Sequence, residues 1–139
     1  MKCIIDTNVL ISASLFPDSV PAQAYFKAVS PPYTAVVCDH SVDELHRVYN
    51  KKFSNKIHNL ESFLTLLFRM VKIIETPPED EASESEGYIR DLDDRPILRA
   101  ALKFDVDILI TGDRDFLESG LTRPHIVKPA DFLNINAHM

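Results

Sequence analysis

The sequence predicts an α/β protein: a three-layer α/β/α sandwich around a mainly parallel sheet. Short apolar runs alternate along the chain with longer stretches of helical periodicity, the order that βαβ units require. There is no internal repeat and no Gly/Ser-rich linker, and with only three glycines the chain reads as one domain over residues 1–139. Of its 139 residues, 45% are apolar and 26% charged, enough to bury a core without disulfides or a structural metal.

The elements follow in order. Lys2 to Asp6 reads as a buried strand. Pro21 to Val29 reads as a helix opened by proline, whose missing N–H is harmless in a first turn. Thr34 to Cys38 is a second strand, and Ser41 to Asn50 a helix. From Lys56 to Met70, the residues Ile57, Leu60, Phe63, Leu64, Leu67 and Phe68 recur at helical spacing as an apolar stripe. Val71 to Glu75 is a third strand. Pro77 to Gly87 is acidic and polar, so a loop or partly disordered segment is expected. Arg95 to Phe104 is helical, Asp107 to Thr111 a fourth strand, and Phe116 to Ser119 a helical turn. Ile126-Val127 makes a fifth strand and Ala130 to Leu133 a last turn. Tyr25, Phe63 and Phe68 belong to the core by their helical positions, while Tyr33 and Tyr49 are open to solvent.

No apolar run reaches the ~20 residues of a membrane span, and Asp6 leaves no room for the apolar core of a signal peptide. Cys3 and Cys38 lie in apolar stretches and read as free thiols in a reducing cytoplasm. The net charge of −6 argues against nucleic-acid binding only until its distribution is considered. The window from Glu79 to Asp94 holds eight acids and one base, leaving fourteen bases against thirteen acids elsewhere. The window itself reads as solvated surface, with repulsion of RNA from one edge and an autoinhibitory segment in the groove as the alternatives.

Carboxylates follow three of the strands. The first ends in Asp6-Thr7-Asn8, the second leads into a helix bearing Glu44, and the fourth ends in Thr111-Gly112-Asp113-Arg114-Asp115. Asp93-Asp94 opens the helix ahead of the fourth strand. Ligands of an open parallel sheet bind at the carboxyl ends of its strands, so these acids share one rim. Each also has a capping role open to it: Asp6 for a first helix, Ser41 with Glu44 as a capping box, Asp94 ahead of Arg95-Pro96, and Asp113 for the turn at Phe116. As a set they repel one another, and a fold tolerates such a set when a hard cation neutralises it. A few oxygen ligands suit Mg²⁺ or Mn²⁺, and such an ion makes a hydroxide nucleophile and stabilises a phosphoryl transition state. The residues therefore point to metal-assisted phosphodiester hydrolysis. A dehalogenase-type phosphatase wants Asp-x-Asp after the first strand, where this chain has Asp6-Thr7-Asn8, and a receiver domain wants no acid after the fourth. A Mg²⁺-dependent phosphatase and a non-catalytic binding module of the same fold stand as alternatives.

These residues resemble a known family. Asp6-Thr7-Asn8, Glu44, Asp94 in Asp-Arg-Pro-Ile-Leu-Arg-Ala-Ala, and Thr111-Gly112-Asp113-Arg114-Asp115-Phe116-Leu117 are similar, in kind and order, to the acidic stations of PIN-domain nucleases. The resemblance runs from Lys2 to about Leu133 and is greatest to prokaryotic toxin components of toxin–antitoxin pairs. It implies a sheet ordered 3-2-1-4-5 and Mg²⁺- or Mn²⁺-dependent cleavage of single-stranded RNA. It further implies a homodimer or higher homo-oligomer and a small antitoxin protein as inhibitor. It implies Asp6, Glu44, Asp94 and Asp113 as catalytic metal ligands, with Asp115 as a further acid and Asp93 as the alternative to Asp94. Thr7, Asn8 and Thr111 would orient the carboxylates. Among the bases, Arg95 and Arg99 share a helix face with Lys103, and Arg114 lies between two acids; these are the candidates to meet RNA phosphates.

Overall fold

The computed structural model describes residues 1–136; Ala137–Met139, with His138, lie outside it. Five strands form one parallel sheet: β1 (Lys2–Ile5), β2 (Thr34–Cys38), β3 (Lys72–Ile74), β4 (Ile108–Ile110) and β5 (His125–Val127). Their order is β3-β2-β1-β4-β5. In register, Cys3 faces Ala35 on one side and Ile108 on the other. The helices are α1 (Thr7–Leu15), α2 (Val20–Ala28), α3 (Asp39–Lys52), α4 (Ile57–Met70), α5 (Arg95–Lys103), α6 (Arg114–Leu117) and α7 (Pro129–Leu133).

The strands are apolar on both faces because helices cover both. Cys3, Ile5, Ala35, Val37, Ile108 and Ile110 point to a core built with Val9, Leu10, Leu45, Leu60, Leu67 and Phe132. The residues between them, Ile4, Val36, Cys38 and Leu109, point the other way, to Ile89, Ile97, Leu98, Ala101 and Phe116. The two sets alternate with the strand period of two, which makes the three layers. Both cysteines are free and buried, and burial pushes the Cys3 thiol up to about 12, so it is inert. No helix among the described residues is long and apolar enough to cross a membrane.

The structure differs from the expectations in instructive places. The first strand stops at Ile5, and Asp6 instead caps α1, a helix the apolar pattern hides. Its sequence TNVLISASL has no polar face to give it a period. The third helix begins at Asp39, so Ser41 lies inside it and forms no capping box with Glu44. Tyr33 and Tyr49 are buried, the latter with its hydroxyl 2.6 Å from Ser14 Oγ, whereas Phe68 is exposed. The acidic segment after Pro77 is ordered into 3-10 turns at Glu79–Glu81 and Glu84–Tyr88. Its anchor is Glu86, which accepts from Arg99 Nε at 3.0 Å and Nη2 at 2.8 Å, with both side chains buried. Arg99 Nη1 also donates to the Pro77 carbonyl at 2.8 Å. Arg99 is therefore no solvent-facing contact for RNA: a buried carboxylate has claimed its guanidinium.

Candidate metal centre

The central strands β1 and β4 end side by side, and Asp6 N donates to the Ile110 carbonyl at 3.0 Å, extending their pairing past the last strand residues. That places Asp6 and the Thr111–Asp113 turn against each other. Asp6 is 1% exposed. Its Oδ1 accepts from Thr7 N at 2.8 Å and its Oδ2 from Thr111 Oγ1 at 2.7 Å. The same Thr111 hydroxyl accepts from Asp113 N at 2.9 Å, so one buried side chain fixes two acids. Asp113 in turn caps α6 through Asp115 N at 2.8 Å.

Asp94 arrives from the N-terminus of α5. It is buried, and its side chain makes no capping bond. Oxygen atoms of Asp6, Asp94 and Asp113 lie within 4.8 Å of one another. Among the described residues, Asp94 Oδ2 is buried with no hydrogen-bond partner. A buried acceptor with no partner is an expensive arrangement unless a proton or a cation completes it. Asp93 is exposed and points elsewhere, its N–H on Asp91 Oδ1 at 2.9 Å. A second oxygen group, Asp91, Asp94 and Asp115, shares Asp94 with the first. Asp91 was not among the acids singled out by strand ends, because it belongs to a loop.

The electrostatics follow from burial. Burial pushes Asp6 up to about 6 against the help of its two donors, and the charges of Asp113 and Glu44 add to the rise. Asp94 is held well above the usual carboxylate range, first by burial and then by a hydrogen bond to Asp113 that only the protonated acid makes.

The remaining candidates are placed as follows. Glu44 stands beside the oxygen cluster rather than in it, accepting from Thr7 Oγ1 at 3.3 Å and paired with His40 Nε2 at 2.9 Å. His40 Nε2 also lies 3.0 Å from the Asp93 carbonyl, so it links α3 to the loop that carries Asp94. The hydrogen bond that the His40 ring donates to Glu44 raises the imidazole pKa. Asn8 is exposed on α1 and makes no hydrogen bond to these acids among the described residues. Arg95 Nε donates to the Ile89 carbonyl at 2.9 Å, which ties it to the segment ahead of Asp94. Arg114 is exposed and paired with Glu118 at 3.0 Å.

Thr111 offers a clean test of this geometry. Thr111→Val keeps the shape and removes both hydrogen bonds. It is expected to lower stability by about 1–3 kcal/mol. It should also weaken divalent-ion affinity by roughly tenfold or more, since both carboxylates lose their orientation. Denaturant melts in EDTA and a Mn²⁺ titration read the two effects separately.

The family model for the PIN domain matches residues 2–115, and the chain belongs to that family. Among curated protein sequences none matches significantly. Three solved structures share the fold. VapBC2 from Rickettsia felis, solved bound to a DNA fragment of its promoter, is 16% identical with a TM-score of 0.68, covering 92% of this chain and 98% of its own. PAE2754 from Pyrobaculum aerophilum is 17% identical with a TM-score of 0.66, covering 96% and 88%. VapC20 from Mycobacterium tuberculosis, described as a toxin that cleaves the sarcin–ricin loop, is 14% identical with a TM-score of 0.64, covering 86% and 95%.

Proposed function

We propose that this PIN-domain protein is a divalent-metal-dependent endoribonuclease acting on single-stranded RNA, and the toxin half of a cytoplasmic toxin–antitoxin pair. The observation that carries the chemistry is the triad Asp6, Asp94 and Asp113, the first two buried, together with the buried and unpartnered Oδ2 of Asp94. An all-carboxylate donor set of this size suits Mg²⁺ or Mn²⁺. Asp6, Asp94 and Asp113 would hold the ion, with Asp91, Asp115 and Glu44 at its margin. Such an ion supplies Lewis-acid charge to a phosphoryl transition state and a water acidic enough to attack at neutral pH. The chain supplies the rest. Thr7 and Thr111 keep Asp6 aimed at the centre. Thr111 keeps Asp113 in register with it. Arg114 pairs with Glu118 only at the surface, where such pairs are weak, so its guanidinium is available to a substrate phosphate.

The toxin reading draws support from the fold shared with VapBC2 and with VapC20, the latter described as a toxin that cleaves the sarcin–ricin loop. A homodimer and an antitoxin both need apolar surface. Phe16, Val20 and Phe26 near α2, with Leu66, Phe68 and Met70 on α4, expose it.

The test is cleavage of a labelled single-stranded RNA. Cutting in Mg²⁺ or Mn²⁺ that stops in EDTA is the expected result. Cutting that persists in EDTA, or none with either ion while the cluster binds Mn²⁺, would contradict the nuclease reading.

A further inference from the structure

Two of the three arginines expected on RNA, Arg95 and Arg99, fix the segment that precedes Asp94. Arg99 grips Glu86 through two hydrogen bonds, and Arg95 holds the Ile89 carbonyl. Glu86 and Ile89 are both buried. With these points pinned inward, the side chains of Tyr88 and Arg90 stand outward, 64% and 72% exposed. Tyr88 is thus displayed by a rigid backbone rather than left loose on a flexible one.

What lies beside it is specific. Tyr88 and Arg90 line a cavity of about 410 Å³ with Gly87, Asp115, Glu118 and Ser119. Asp115 belongs to both this cavity and the carboxylate group of Asp91 and Asp94. The cavity therefore adjoins the margin of the candidate metal centre through Asp115. The other exposed aromatic rings are elsewhere: Phe26 and Phe68 lie on α2 and α4, and Phe16 stands a full α1 length, about 14 Å, from Asp6. Tyr88 is the exposed ring that adjoins the acids among the described residues.

We infer that Tyr88 and Arg90 form a nucleotide subsite beside the scissile position: one unpaired base stacks on the Tyr88 ring, and its phosphate takes the Arg90 guanidinium. The inference rests on the nuclease reading and deepens it to a strand whose base is unstacked at that position. Stacking on an aromatic ring is open to any single-stranded base and closed to a base inside a duplex. Arg90 now bonds Asp115 at 2.8 Å and reaches toward Glu118 at 3.5 Å. Arg90 itself is largely exposed in these pairs, so a phosphate competes with them for its planar fork, which donates two hydrogen bonds to such an anion. Sequence alone did not show this subsite, because Arg90 stands as the single base in the acidic window.

The test is anisotropy of a labelled single-stranded RNA in Mn²⁺ on ice, with strand integrity checked on a gel. The strand is used intact and with one base removed at each position in turn. Wild type should lose roughly tenfold in affinity at one abasic position. Tyr88→Ala should lose about the same on the intact strand and nothing more at that position, while Tyr88→Phe should bind like wild type. Arg90→Ala should reduce the salt dependence by about one ion. Melting temperatures should not move, given the exposure of both side chains. A wild type that binds RNA with no position-specific abasic effect, or a folded Tyr88→Ala that binds as tightly as wild type, overturns the subsite and leaves the nuclease reading intact. A wild type that neither binds nor cuts RNA in Mn²⁺ overturns both.

Discussion

Asp6→Asn is expected to lower metal-dependent RNA cleavage by about a thousandfold and, in EDTA at pH 8, to make the protein more stable than wild type. The first effect removes a carboxylate from the triad. The second follows from the direction of the Asp6 shift. Burial raises its pKa from 3.8 to about 6, so the native state disfavours the ionised form. A carboxyl shifted upward contributes its stability below the unfolded pKa and loses it as the pH rises through the folded one. Between pH 4 and 6 the metal-free wild type therefore becomes less stable as the pH rises. Two pKa units correspond to a loss of roughly 3 kcal/mol by neutral pH. The upward shift of Asp94 carries the decline further into the alkaline range. Asp6→Asn removes the Asp6 share, so the two proteins should converge near pH 4 and diverge above pH 6. Thermal melts across that range in EDTA measure it. If Asp6→Asn destabilises the protein equally at every pH, Asp6 is a helix cap first and the cluster carries no repulsion.

Arg99→Ala has the largest expected effect on stability. It leaves Glu86 buried at 4% exposure without the guanidinium that neutralises it. Breaking a buried pair from one side costs about 3–5 kcal/mol, which urea denaturation would show directly. Replacing both partners together, Arg99→Met with Glu86→Leu, should recover most of that loss, because the desolvation of both ions disappears with them. A single variant within about 0.5 kcal/mol of wild type would mean that the acidic segment is loosely attached.

The strands were legible because each is a short apolar run bounded by polar residues, and their acids were legible because they end those runs. Asp6 and Asp113 meet the reader at the carboxyl ends of β1 and β4, where the topology brings them together. Asp94 is preferred to Asp93 in the sequence by its spacing to Ile97 and Ala101, and the structure separates the two by burial and by the oxygen groups, which include Asp94 and not Asp93. Helix α1 was hidden because its residues are packed on several sides and show no period. Arg99 was misleading because charge on a helix is usually solvated, and its partner sits thirteen residues away in a segment whose composition suggests disorder. Glu44 had two roles open to it, cap or ligand. The structure gives it a third, between His40 and Thr7. The His40 pair is local, i to i+4, but the Thr7 contact joins two helices 37 residues apart and leaves no local pattern to read.

The central claim is that the Asp6–Asp94–Asp113 cluster is a cation site, and calorimetric titration of Mn²⁺ at pH 7 tests it most directly. Repeating the titration in buffers of different ionisation enthalpy counts the protons exchanged. Asp94 is held protonated well above the usual carboxylate range, and a bound ion must displace that proton. The expected result is saturable binding with release of about one proton, both lost in Asp94→Asn. Saturable binding that neither releases a proton nor responds to Asp94→Asn would place the ion elsewhere and contradict the account.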